Sequence, residues 1–244
     1  SSYTATKEEF VTGAPLPITD AIIHPQDGAM YFTIGGRRVQ SGLYRVTYVG
    51  NESTELVEPK VVKSKARETR HMLESFHGKQ DPKAIETAWP YLADDDRFIR
   101  FAARTAIEHQ PLDSWADKAL SESDPAKQVV ALLALARVAG VDPMHRTDKD
   151  PEVDTAMRGK LLNAAIAIDP SGLDSFDQLT LQRAIQIILT RFGRPDQAMV
   201  DKLIARLDPQ FPAESPEMNW LLCETLAWLQ SPTVAEKAMA LIAA

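Results

Sequence analysis

At Lys65 the spacing of apolar residues changes from every second position to about every 3.6, and it keeps the longer period to the end of the chain. A helical pattern of that length, broken by short polar connections, folds as helices packed on helices. The spacing predicts helices over Lys65–His77, Pro82–Leu92, Arg97–Glu108, Leu112–Ser121 and Pro125–Ala139. It predicts five more over Glu152–Ile168, Phe176–Phe192, Pro195–Leu207, Pro216–Gln230 and Pro232–Ala243.

The punctuation between these helices has a physical reading. Asp81-Pro82, Asp124-Pro125 and Ser231-Pro232 each set a capping side chain before a proline whose missing N–H costs nothing at a helix start. Gly140 and Gly193 stand where a helix ends and a left-handed residue is wanted. In Asp94-Asp95-Asp96-Arg97-Phe98-Ile99-Arg100-Phe101-Ala102-Ala103, the residues Phe98, Phe101 and Ala102, then Thr105 and Ala106, recur at helical spacing as one apolar face. A second version opens roughly 30 residues later at Asp124 and runs through Val129, Val130, Leu132, Leu133, Leu135 and Ala136. Helix pairs at that spacing predict a mostly α fold, a HEAT-like α-α superhelix (solenoid) in which each pair buries its faces against its neighbours.

Residues 1–60 follow the other regime. Strands are expected at Ile18–Ile23, Ala29–Ile34 and Leu43–Val49, joined by the turn Pro25-Gln26-Asp27-Gly28 and the loop Gly35-Gly36-Arg37-Arg38. They make a short N-terminal β meander with one apolar face, too small to stand alone and suited to packing on something larger. Asn51–Lys63, polar and acidic, reads as a linker. The domain division is therefore 1–63, meander and linker, and 64–244, helical repeats.

The net charge of −7 includes no strongly basic segment, which argues against nucleic acid as a partner. No apolar stretch approaches the roughly 20 residues of a membrane span. The single cysteine, Cys223, excludes an intrachain disulfide and any C-x-x-C site, and reads as a small buried hydrophobe. The chain opens Ser1-Ser2 without a secretory signal and stops within a helical pattern, as a piece of a longer protein would.

Candidate chemistry is sparse. His71 and His77 lie six apart on one predicted helix, too far around it to chelate one metal, while His24, His109 and His145 fall at turns or helix ends. Asp94, Asp95 and Asp96 read as a solvated helix cap, since a calcium loop needs alternating ligands, a central glycine and a distal glutamate. Gly35-Gly36-Arg37-Arg38 suits either an anion or an exposed polar loop, the second being the better reading. Trp89, Trp115, Trp220 and Trp228 fall on apolar helix faces and are expected in the core, with any exposed one marking a binding groove. No catalytic, cofactor-binding or metal-binding residue is assigned, and no cofactor is expected in this chain.

Two stretches carry a resemblance. Residues Pro17 to Thr33 with Gly35-Gly36-Arg37 and Gly42-Leu43-Tyr44-Arg45-Val46 resemble the closing blade of glucose/sorbosone dehydrogenase-like β-propellers, although the turn Pro25-Gln26-Asp27-Gly28 is one residue longer than theirs. Residues Asn219 to Ala238 resemble helices in large modular proteins of planctomycete-type bacteria, which join such a propeller to HEAT-like repeats and usually to a c-type cytochrome domain. The resemblance implies an exported, periplasmic or otherwise extracytoplasmic parent of the quinone- or haem-linked oxidoreductase type, with the chemistry on domains outside this chain. It leaves three readings: a non-catalytic scaffold or protein-interaction module, the C-terminal part of a quinone-dependent sugar dehydrogenase-like enzyme, and an independent peptide-binding adaptor. The first two partners to expect are other domains of the parent or a separate protein.

Overall fold

The computed structural model describes residues 2–3, 5–55 and 63–243. The chain forms two compact units, Tyr3–Val62 and Lys63–Ala244, the second including Ser1–Ser2. Most of the expected linker lies outside the described residues.

The first unit is an antiparallel sheet in the order β1 (Ile18–Ile23), β2 (Met30–Gly36) and β3 (Val39–Val46). The β1–β2 turn is closed by Asp27, which accepts from the Ala29 N–H at 3.0 Å, the Tyr31 hydroxyl at 2.9 Å and Arg45 at 3.1 Å. The Ala29 N–H is the largest of the influences that hold the Asp27 carboxyl below its ordinary pKa. Here β3 departs from the expected Leu43–Val49. Gly36 pairs directly with Val39, so Arg37 and Arg38 are a two-residue turn rather than part of a loop, and Arg38 takes the positive φ of 65°. Gly42 then sits inside the strand, opposite Ile34. Ala29, Phe32 and Ile34 are buried, with Phe32 stacked on Tyr44 at 5.0 Å. Ile18, Ile22, Ile23 and Leu43 remain exposed.

The second unit is all helical, with ten α-helices among the described residues: α1 (Lys65–Glu74), α2 (Ala84–Ala88), α3 (Arg97–Glu108), α4 (Ala116–Ser121) and α5 (Pro125–Ala139). The rest are α6 (Thr155–Ala167), α7 (Ser175–Phe192), α8 (Gln197–Leu207), α9 (Pro216–Leu229) and α10 (Val234–Ala243). Each odd helix packs on the next odd one, from α1 to α3, α5, α7 and α9. The even helices α2, α4, α6 and α8 each pack against the odd helix that follows, and α10 packs back on α9. The central helix α5 is buried without interruption from Val129 to Ala136, as an apolar helix enclosed on all sides must be.

Every predicted helix has a counterpart, and the boundaries shift for local reasons. Pro90 has no N–H to continue an α-helix, so α2 ends at Ala88 and a 3-10 turn spans Trp89–Tyr91. Asp96, Asp124, Asp154, Asp174 and Asp196 cap α3, α5, α6, α7 and α8, each accepting a first-turn backbone N–H. Ser231 differs from its expected capping role: its hydroxyl donates to Asp208 at 3.0 Å, and α10 starts only at Val234. Gly193 has the positive φ of 74° anticipated for it. Gly140 does not; its φ of −104° and ψ of 144° are extended. Glycine is needed there because an added Cβ would stand 2.7 Å from the Phe192 ring and 2.8 Å from the Arg191 Cβ.

Open carbonyls at helix C-termini are met by arginines from elsewhere in the unit. Arg191 of α7 donates to Arg137 O and Gly140 O at 2.8 and 2.7 Å, closing α5. Arg194 closes α9 through Trp228 O and Leu229 O, and Arg206 of α8 reaches Ile168 O behind α6. A cation at a helix C-terminus satisfies orphan acceptors and opposes the negative end of the dipole, so these contacts fix neighbouring helices in register.

Candidate docking groove

Helix α3 turns its small residues inward. Ile99, Ala102, Ala103, Ala106 and Ile107 are buried, whereas Phe98 and Phe101 are 38% and 58% exposed. The expected apolar face, which placed both phenylalanines with the alanines, is therefore corrected. Alanines let α1 and α5 approach α3 closely, and a phenylalanine on that side has no room. Phe98 and Phe101 instead meet a row of arginines. Arg97 lies over Phe98 with 4.6 Å to the ring centroid, Arg104 over Phe101 at 5.2 Å, and Arg100 reaches across to Phe176 of α7 at 4.4 Å.

These side chains, with Val130 and Leu133 of α5, line a hollow of about 480 Å³. A second hollow of about 500 Å³ shares Leu133, Phe176 and Thr180 with the first and runs on past Arg183 to Glu217 and Trp220. The two make one groove across α3, α5, α7 and α9, floored by apolar and aromatic surface. Beyond it, a smaller polar hollow of about 220 Å³ lies among Arg183, Gln186, Glu224 and Trp228.

Trp220 is 73% exposed and Trp228 44%, so the expectation of four core tryptophans holds only for Trp89 and Trp115. The cause lies in α9, whose apolar residues surround the helix. Its buried side is chosen by α7, where Gln182 Nε2 donates to Thr225 Oγ1 at 2.9 Å and Gln186 Nε2 to Glu224 Oε2 at 3.0 Å. Thr225 also donates to Leu221 O at 2.7 Å, leaving this polar network satisfied. With Leu222, Thr225, Leu226 and Leu229 inward, the Trp220–Glu224–Trp228 stripe faces out. Cys223 is half-buried and packed against the core, less enclosed than expected. Of the core pair, Trp89 donates to Glu122 at 2.6 Å with Lys118 over its ring, and Trp115 is 1% exposed.

The groove is positive at its α3 end. Arg104 and Arg137 share one carboxylate, Glu108, at 3.3 and 2.9 Å. Burial is the main cause that lowers the Arg104 pKa, with Arg137 adding to it and Glu108 opposing. Arg97, Arg100 and Arg183 make no ion pair among the described residues. Asp177, in the first turn of α7, has its carboxyl pKa raised, first by burial and next by Asp174, with Arg100 pulling the other way. Glu217 and Glu224 make the α9 end acidic.

The other sequence candidates lie elsewhere. His77 bonds Ala102 O at 2.9 Å and its ring stands 6.2 Å from that of His109, while His71 is on α1 and is not part of the pair. Among the described residues no three His, Cys, Asp or Glu side chains gather as a metal-holding group, and no helix is long and apolar enough to cross a membrane. Of the aspartate run, Asp96 is the cap of α3 and Asp94 accepts from the Asp96 N–H at 2.9 Å. Arg37 and Arg38 stand exposed at the β2–β3 turn. The groove itself was missed in the sequence. Its signal was the stripe Arg97–Phe101–Arg104, which mixes charge with aromatics as a surface does. Comparison with known proteins leaves the chain by itself: no family model, no curated protein and no solved structure matches it.

Proposed function

We propose that the helical unit is a HEAT-type α-α superhelix that serves as a non-catalytic scaffold, docking protein along the α3–α5–α7–α9 groove within a larger exported protein. The observation that carries this reading is the groove. Large aromatic side chains stay in water on α3, α7 and α9, with Val130 and Leu133 of α5 between them, while alanines and leucines fill the core beneath. Contiguous exposed apolar surface of this kind marks an interaction site, and aromatic residues with arginines are the types enriched where proteins bind. Successive packing of odd helices supports the repeat reading. Export rests on the resemblance to modular bacterial proteins alone.

The neutral dye Nile red tests the docking surface without reference to charge. Its fluorescence should rise on binding the folded chain and fall severalfold in a Phe101→Ser, Trp220→Ser variant with unchanged circular dichroism. Equal fluorescence from both proteins would contradict the reading.

A second reading, the C-terminal part of a quinone-dependent sugar dehydrogenase-like enzyme, is favoured by the sheet unit. Ile18, Ile22 and Ile23 on β1 and Leu43 on β3 lie exposed, as on a blade built to join others. The discriminating measurement is quinone-dependent sugar oxidation by a longer chain that includes the residues upstream of Ser1.

A further inference from the structure

We propose that the groove's occupant is an acidic amphipathic helix of a partner protein, with carboxylates over Arg97 and Arg100 and an apolar stripe on Phe101, Phe176 and Trp220. This rests on the docking reading above and adds the partner's chemistry. Three features select it.

The first is charge. On a chain of net charge −7, Arg97, Arg100 and Arg104 line the α3 end of the groove, and Arg137 shares Glu108 with Arg104. The half-buried Asp177 beside Arg100 has its carboxyl pKa raised, first by burial. Arg97 and Arg100 lie over aromatic rings, and although Arg100 Nη1 donates to Asp94 O at 2.6 Å, both guanidiniums keep N–H groups that can donate to a carboxylate. A basic partner would meet these guanidiniums with like charge.

The second is the apolar floor. A purely anionic ligand such as a phosphate or a polyanion gains nothing from Phe101, Leu133, Phe176 and Trp220, whereas an amphipathic segment covers them. The third is length. Four odd helices at about 9 Å between axes span about 27 Å, which at 1.5 Å per residue suits a helix of about 18 residues. The groove also has polarity, since Glu217 lines its far end; the occupant's carboxylates therefore concentrate in the half that lies over α3.

The test uses the full chain and fluorescein-labelled synthetic helices of about 18 residues with one leucine face. One carries glutamates on its polar face, one carries lysines, and a third has the glutamate composition with its leucines scattered. Fluorescence anisotropy should show the glutamate helix binding at least about tenfold more tightly than either control. Arg97→Ala with Arg100→Ala should remove about tenfold of that affinity while the thermal melt stays in place, and added salt should weaken binding further. Equal or tighter binding of the lysine helix overturns the acidic partner but leaves the docking surface standing. Binding of none of the helices, with Nile red still bound at Phe101 and Trp220, likewise overturns this proposal alone. Tighter binding of a single-stranded oligonucleotide or of phosphatidylglycerol vesicles through the same arginines overturns it in favour of a general anion site.

Discussion

Gly140 and Gly193 look alike in the sequence, each closing a helix, yet they are glycines for different reasons. Gly193 needs its φ of 74° with ψ of −178°, a region costly for any side chain. Gly140 needs room beside Phe192 and Arg191. Gly140→Ala should therefore destabilise the chain by about 1–3 kcal/mol through overpacking, as read from urea unfolding. Had only its extended backbone mattered, alanine would be neutral or better. Asp208 makes the corresponding case for charge. It is paired with Lys237 at 2.7 Å and accepts from Ser231 and Thr233, tying the end of α8 to α10. Lys237 is the first cause and Thr233 the second of a carboxyl held below its ordinary value of 3.8. A depressed folded-state value means the stabilisation is present above 3.8 and lost as the pH falls through the folded value. Asp208→Asn should cost about 1–2 kcal/mol at neutral pH and shrink the acid-induced loss of stability, as thermal melts across the acidic range would show.

At the scale of elements, much was legible in the sequence. The helical period located all ten helices, but of the expected caps Asp81, Asp124 and Ser231 only Asp124 caps a helix. Helix α2 starts at Ala84 without a side-chain cap, and the Ser231 hydroxyl bonds Asp208 instead. Which face each helix buries was far less legible. On α5 every side of the helix is buried between Val129 and Ala136, with Val130 and Leu133 forming part of the groove floor. On α9 the apolar residues encircle the helix, and only the Gln182–Thr225 and Gln186–Glu224 bonds to α7 decide that Trp220 faces water. On α3 large and small apolar residues compete, and the alanines win the interior because helix spacing, not hydrophobicity, is the limiting quantity there. Trp220→Gln should accordingly leave the melting temperature nearly unchanged, unlike a core tryptophan substitution, which costs about 3–5 kcal/mol. Helix ends yield a further expectation. Gln230 closes α9 at φ 64° and ψ 43°, a left-handed position where a Cβ is unfavourable. Gln230→Gly should stabilise the chain by about 0.5–1 kcal/mol, checked by the same urea titration.

At the scale of the whole molecule, a row of odd helices does two jobs with opposite faces. Alanines and leucines pack each helix on the next, and arginines from elsewhere in the unit close the C-termini of α5 and α9. That packing sets the outward aromatics side by side along one groove, and the arginines at one end give that groove its charge. If the α3–α5–α7–α9 face is the docking surface, a benzophenone placed on the apolar stripe of the bound glutamate helix should photo-crosslink to residues on α3, α5, α7 and α9, Phe101, Phe176 and Trp220 among them. Crosslinks confined to the even helices or to the sheet would show that the helix docks elsewhere.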